Sequence, residues 1–206
     1  MITVIDYEMG NIHSVSNALK AVGCEVKISR RAGDIKAADK LVLPGVGAFS
    51  VGMKNLADFG LIQILNEEVL DRKKPILGIC LGMQLFANKS YEGGEYKGLG
   101  WVEGEVKRIN PDNTPLLKVP HVGWNDIEFK KDCVLFSGID EHPNFYFVHS
   151  YYLDCKDNFI TSKFDYGGKF TASIRKRNIF GTQFHPEKSQ NNGLKVLRNF
   201  ANYEVE

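Results

Sequence analysis

The chain has no apolar run approaching the ~20 residues that would span a bilayer. It also lacks a basic stretch leading into an apolar segment and a small-residue cleavage site at its start. Neither charge dominates: 26 basic residues stand against 25 acidic ones, a formal charge of +1. We therefore expect a cytoplasmic protein with no membrane attachment and no electrostatic field that would gather nucleic acid. Cysteine is sparse. The four residues Cys24, Cys80, Cys133 and Cys155 show no C-x-x-C spacing, so neither a disulfide framework nor a zinc site is expected. Apart from His185, discussed below, the histidines are His13, His121, His142 and His149. None has ligand-like spacing to a second histidine or a cysteine, and no metal or cofactor is expected. Repeats, low-complexity tracts and linkers are missing too. With 206 residues, 43% of them hydrophobic, the chain reads as one domain over residues 1–206.

What is present begins with a βαβ rhythm. Ile2 to Asp6 reads as a strand, Ile12, Val15, Leu19 and Val22 recur at helix spacing, and Val26 to Ser29 is the next strand. Leu41-Val42-Leu43 follows, then a helical region from about Met53 to Leu70, then Ile76-Leu77-Gly78-Ile79, a strand buried on both faces. Beyond Tyr91 come short alternating runs, Val102–Ile109, Trp124–Phe129, Phe145–Tyr152, Phe159–Phe164, Phe170–Arg175 and Ile179–Phe184, and a last helix from about Gly193 to Tyr203. The expected fold is α/β: a mostly parallel central sheet flanked by helices, with the later runs added as antiparallel strands. Glu92 to Gly100 is rich in glycine but lacks either phosphate-loop order and carries acidic residues, so it reads as a loop.

Three segments carry chemistry. Gly78-Ile79-Cys80-Leu81-Gly82 is G-x-C-x-G between a buried strand and a helix expected at Met83 to Ala87, a thiol version of the nucleophile elbow. Such a turn strains the nucleophile's backbone, puts the thiol near a helix N-terminus that favours thiolate, and aims the Leu81 N–H at a developing oxyanion. A thiol near its ordinary pKa needs a base. His185 supplies one: in Thr182-Gln183-Phe184-His185-Pro186-Glu187 the extended spacing lets Glu187 sit beside the imidazole and orient it. The Gly-rich turn Leu43-Pro44-Gly45-Val46-Gly47 can bring further backbone N–H groups toward a ligand, although βα turns of this composition are common.

Together, Pro44-Gly45-Val46-Gly47, Gly78 to Gln84 and Gln183 to Ser189 resemble the three signatures of the class I, triad-type glutamine amidotransferases. Val119 to Asn125 and Tyr146 to Tyr151 are similar to one branch of them, the glutaminase subunits of imidazole glycerol phosphate synthases, and the likeness runs from Ile2 to Phe200. The resemblance implies a flavodoxin-like core. It further implies that Cys80 attacks the glutamine side-chain amide, His185 activates the thiol and protonates departing ammonia, and Glu187 orients His185. Val46, Gly47 and Leu81 would form the oxyanion hole, completed by a backbone rearrangement on partner engagement. Gln84, Tyr146, Ser150 and Tyr151 would line the glutamine pocket. Pro120, His121, Val122, Gly123 and Trp124, with Lys188, would face the partner.

That partner would be a (β/α)8-barrel cyclase, bound as a heterodimer. It would use the ammonia to make imidazole glycerol phosphate for histidine and an aminoimidazole carboxamide nucleotide for purines. The likeness leaves no residues for a synthase domain, so a separate partner is expected. One departure bears on this: Glu8 stands in Asp6-Tyr7-Glu8-Met9-Gly10-Asn11 where relatives usually have glycine, and Val122 where methionine is frequent. The alternative is a paralogue feeding ammonia to another synthase, such as one modifying a surface sugar. A stand-alone cysteine hydrolase and a non-catalytic docking subunit are the remaining rivals.

Overall fold

A computed structural model describes residues 1–111, 117–141 and 143–204; His142 lies outside them. The chain opens with β1 (Ile2–Ile5), α1 (Ile12–Ala21), β2 (Val26–Ser29), α2 (Ala32–Ala37) and β3 (Lys40–Gly45). Asn11 starts α1 by accepting the Ser14 N–H on its side chain at 3.2 Å. Next come α3 (Phe49–Asp58), α4 (Leu61–Asn66), β4 (Ile76–Cys80) and α5 (Leu81–Gln84). Then β5 (Lys89–Ser90), β6 (Tyr96–Lys97), β7 (Gly104–Arg108), β8 (His121–Phe129), β9 (Asn144–His149), β10 (Tyr151–Cys155), β11 (Ile160–Asp165), β12 (Lys169–Lys176), β13 (Ile179–Thr182) and α6 (Gln190–Asn202) complete it.

Nine strands form one sheet in the order β2-β1-β3-β4-β13-β12-β11-β8-β9, and four form a second, β10-β7-β5-β6. The pairs from β2 through β13 are parallel, and those from β13 through β9 antiparallel. Residues alternate between two cores, as a pleat covered on both sides requires. Val42, Leu77 and Ile79 join Leu19 of α1 and Val196, Leu197 and Phe200 of α6 on one face. Leu41, Leu43 and Ile76 join Phe49, Leu56 and Leu65 of α3 and α4, with Phe86 and Trp101, on the other. Among the described residues no helix is long and apolar enough to cross a membrane.

Several expectations are corrected. The helix expected over 53–70 begins at Phe49, breaks at Gly60, whose φ of 66° ends the first segment, and closes in a π-helical turn over Glu67–Asp71. The helix after Cys80 starts at Leu81 rather than Met83. Ile179 to Thr182 is not an added antiparallel strand: it pairs parallel with β4 and antiparallel with β12, joining the two halves of the sheet. The run from Phe145 to Tyr152 divides at Ser150, β9 going to the large sheet and β10 to the small one. Of the cysteines other than Cys80, Cys133 is buried, whereas Cys24 and Cys155 are half-buried.

Candidate active site

Cys80 ends β4 with φ 52° and ψ −110°, a combination that residues with a side chain rarely adopt, and is only 6% exposed. Both flanking glycines are explained by close approach. A Cβ at Gly78 would lie 2.6 Å from the Met83 nitrogen and from the Phe86 ring, and one at Gly82 would lie 1.8 Å from the Leu43 carbonyl oxygen. The bare backbone is what lets α5 start directly over β3 and β4, so the turn at Cys80 has no room to relax.

The register between β4 and β13 brings the second segment alongside. Thr182 pairs with Ile79, and just past the ladder Gln183 reaches Cys80, its Nε2 donating to Sγ at 3.5 Å. His185 follows. Its N–H donates to the Tyr146 carbonyl at 2.9 Å, and its carbonyl accepts from Ser189 Oγ at 2.6 Å, which in turn accepts the Tyr146 N–H at 3.0 Å. With the backbone so pinned to β9 and Pro186 opening a short 3-10 turn, His185 Nδ1 meets Glu187 Oε1 at 2.8 Å, both side chains 2% exposed. The expected side-by-side histidine and glutamate are therefore in contact.

Burial alone would press the His185 pKa down. The charge and hydrogen bonding of Cys80, then the bond to Glu187 and its charge, outweigh that and raise it to about 10. Nε2 has no hydrogen-bond partner of ordinary geometry among the described residues, and Cys80 acts on the ring through both charge and hydrogen bonding. The free Nε2 is the nitrogen left to exchange a proton with sulfur.

A cavity of about 380 Å³ opens over the sulfur. Val46, Gly47, Leu81, Gln84, Ser150 and Tyr151, all expected at the site, line it, and so do Glu92, Pro120, Val148 and His149. Val46, Gly47 and Leu81 bring their backbone to the cavity wall, where an N–H group can meet a developing oxyanion. Gln84 is more constrained than a free pocket residue: its Nε2 donates both to the Tyr151 carbonyl, 2.8 Å, and to Gln183 Oε1, 3.0 Å. Tyr146 is not in the cavity wall. Its ring packs edge-on to Trp124, 6.0 Å between centroids, with Lys188 Nζ 5.6 Å from its own.

The segment expected to face a partner is split by strand alternation. Val122 and Trp124 are 56% and 45% exposed and Lys188 is exposed, but His121 is buried. Its ring stacks on Phe147 and Phe164, and its Nδ1 lies 3.2 Å from His149 Nε2, while His149 Nδ1 reaches the Tyr151 carbonyl at 2.8 Å. Burial pushes the His121 pKa down to about 4. Burial, against the opposing bond to Tyr151 and with the nearby histidines, pushes His149 down to about 3. Both rings are neutral. Glu8 takes φ 64°, a left-handed conformation that favours glycine, and ion-pairs with Arg30 at 3.0 Å. The neighbouring Tyr7 hydroxyl is buried against Gly45 without a hydrogen-bond partner among the described residues.

Two residues at the site carry no role in the sequence reading. Glu92 lay in the stretch read as a loop; its Oε2 accepts the Phe49 N–H at 2.7 Å, and no local spacing announces a partner so distant in the chain. Gln183 is part of a recognised segment, but its contact with sulfur depends on the β4–β13 register. Among the described residues no three His, Cys, Asp or Glu side chains are grouped to hold a metal ion.

Residues 3–202 match the family described as "Glutamine amidotransferase class-I". The chain is 54% identical over 200 residues to "Imidazole glycerol phosphate synthase subunit HisH 1" of Campylobacter jejuni (strain RM1221), covering 97% of this chain and 98% of that one. It is 47% identical to "Imidazole glycerol phosphate synthase subunit HisH 2" of Vibrio vulnificus (strain YJ016), covering 98% and 94%. Among solved structures, a "Crystal structure of glutamine amidotransferase" superposes with a TM-score of 0.75 at 18% identity, over 98% of this chain and 100% of that one. The "Structure of PurLQS from Thermotoga maritima" gives 0.71 at 20%, over 98% and 97%, a likeness of fold.

Proposed function

The chain belongs to the class I glutamine amidotransferases, and from that premise we propose that it is the glutaminase subunit of an imidazole glycerol phosphate synthase. The observation that carries the chemistry is the pairing of Cys80 on its strained turn with a histidine already held by Glu187 at 2.8 Å. Cys80 Sγ attacks the side-chain amide carbon of glutamine, and the carbonyl electrons move to an oxygen facing the N–H groups of Val46, Gly47 and Leu81. His185, protonated at Nε2, gives that proton to the amide nitrogen, the C–N bond breaks and ammonia leaves. Water then attacks the thioester, His185 takes a proton from it, the C–S bond breaks, and glutamate departs as the thiolate returns. Glu92, a carboxylate on the cavity wall, suits the α-ammonium of the substrate, and Ser150 and Tyr151 suit its other polar groups.

Ammonia passes to a cyclase subunit with a (β/α)8 barrel, forming a heterodimer through the face of exposed Val122, Trp124 and Lys188. Within the proposal the cytoplasm is the site of action, where a nucleophilic thiol stays reduced. The second reading, a paralogue serving another synthase, is favoured by Glu8, which stands where the resemblance leads one to expect glycine. The test is glutamate release by the chain alone and with the cyclase and its nucleotide ligand. We expect low activity alone, a large rise in the complex, and none in Cys80→Ala, whose complex still forms product from free ammonia. Full activity alone would remove partner gating, and glutamine-dependent product from Cys80→Ala would remove the nucleophile. Purifying the chain with its natural companion and weighing that companion separates the two readings.

A further inference from the structure

Gln183 is fully buried, and its carboxamide bridges two groups: Nε2 donates to Cys80 Sγ at 3.5 Å, and Oε1 accepts from Gln84 Nε2 at 3.0 Å. A carboxamide could sit either way round, but here its orientation is dictated from a distance. The Tyr151 carbonyl can only accept, so Gln84 must present its NH2 group there, at 2.8 Å. The second hydrogen of that NH2 then points at Gln183, which must answer with its oxygen. Only the nitrogen of Gln183 is left to face sulfur. The Tyr151 carbonyl is itself held by His149 Nδ1 at 2.8 Å, which anchors the far end of the chain of bonds.

We infer that Gln183 is a catalytic hydrogen-bond donor to the nucleophilic sulfur, with Gln84 as the positioning residue that keeps its N–H turned toward Cys80. An amide N–H gains little from a neutral thiol and much more from a charged sulfur. Its contribution therefore appears twice in the cycle. It holds the thiolate before the S–C bond forms, and it receives the electron pair that returns to sulfur when water has attacked the thioester and the C–S bond breaks. While the sulfur is acylated and uncharged, the bond is weak, so the donor does not trap the intermediate. This role rests on the reading of Cys80 as nucleophile, but it makes a claim about sulfur that holds without any substrate.

The test is the pH–rate profile for alkylation of Cys80 by iodoacetamide, taken without glutamine in the other three cysteines' Ser background, for wild type and Gln183→Glu. The glutamate side chain keeps the length and still accepts from Gln84 but offers sulfur no N–H once ionised; because its charge also repels a thiolate, the uncharged Gln183→Met is measured beside it and must move the profile the same way. The profile should move to higher pH, and in the complex kcat for glutamine hydrolysis should fall roughly ten- to a hundredfold, the effect of one hydrogen bond to a charged group, with KM little changed. Gln183→Met, of similar length and without a donor or a charge, decides between lost donor and added charge, and it stands alone with the same expectation should Gln183→Glu not fold. An unmoved alkylation profile in a folded variant would overturn the inference and leave Gln183 a packing residue. A moved profile in a protein whose wild type hydrolyses no glutamine would uphold the inference and overturn the glutaminase reading instead.

Discussion

Replacing Cys80 by glycine and by alanine gives two variants that both lack the thiol, so their difference reads the backbone alone. At an ordinary buried position alanine is the more stable of the two. Glycine costs about 0.5–1 kcal/mol more backbone entropy, and alanine adds a buried methyl group at about 0.8 kcal/mol, a deficit for glycine of roughly 1.5 kcal/mol. Cys80 sits at φ 52° and ψ −110°, a region whose cost for a residue with a Cβ is about 1–3 kcal/mol. Taking about 2 kcal/mol for the strain reverses the order, with Cys80→Gly about 0.5 kcal/mol more stable than Cys80→Ala. The strained and relaxed cases thus differ by about 2 kcal/mol, or about 4–8 °C in melting temperature for a chain of this size. Urea denaturation with equal m-values is the assay. Cys80→Gly melting below Cys80→Ala by the ordinary deficit would refute the claim that strain is stored at the nucleophile.

Three further predictions follow from distances and charges. Gly82→Ala places a Cβ 1.8 Å from the Leu43 carbonyl oxygen, a backbone neighbour that cannot swing away, and should cost about 3 kcal/mol or more in the same denaturation assay; a loss under 1 kcal/mol would mean that α5 is not held so close to β3. Glu187→Gln removes the charge 2.8 Å from His185 Nδ1 and should lower kcat in the cyclase complex roughly a hundred- to ten-thousandfold with KM little altered, as steady-state glutamate release would reveal. His121 has a folded-state pKa of about 4 against about 6.5 unfolded. Because the folded value is depressed, its neutral form stabilises the protein fully above pH 6.5, and that contribution is lost as pH falls toward 4. Between pH 7 and 5 the loss from this ring is about 2 kcal/mol. His121→Phe, stacked among the same aromatic rings, should shrink the measured drop by that amount, and an unchanged pH dependence would contradict a neutral buried imidazole.

The chemistry-bearing segments were legible because their signals are local. A run such as Ile76 to Ile79, apolar at every position, announces burial on both faces, and glycines on either side of a cysteine announce a tight turn. What escaped depends on pairing across long stretches of chain. Nothing near Ser150 says that one strand ends and another begins in a different sheet, because the aromatic and β-branched alternation continues across it. The parallel partnership of β13 with β4 joins residues about a hundred positions apart, and only that register reveals Gln183 at the sulfur. His121 reads as surface when taken with exposed Val122 and Trp124, although a period of two assigns it to the opposite face.

The place of β13 between β4 and β12 has a consequence for the newborn chain. The thiol-bearing strand leaves the ribosome about a hundred residues before the strand that leads to His185, and that later strand must enter the middle of a sheet rather than extend an edge. Non-local pairing of this kind forms late, after the local βαβ units. Until it does, Cys80 has neither imidazole nor carboxylate beside it. In the proposed reaction, order of synthesis thus acts as a safety catch: an unfinished polypeptide would hold a thiol that cannot yet release ammonia, and the insertion that completes the sheet would also arm it.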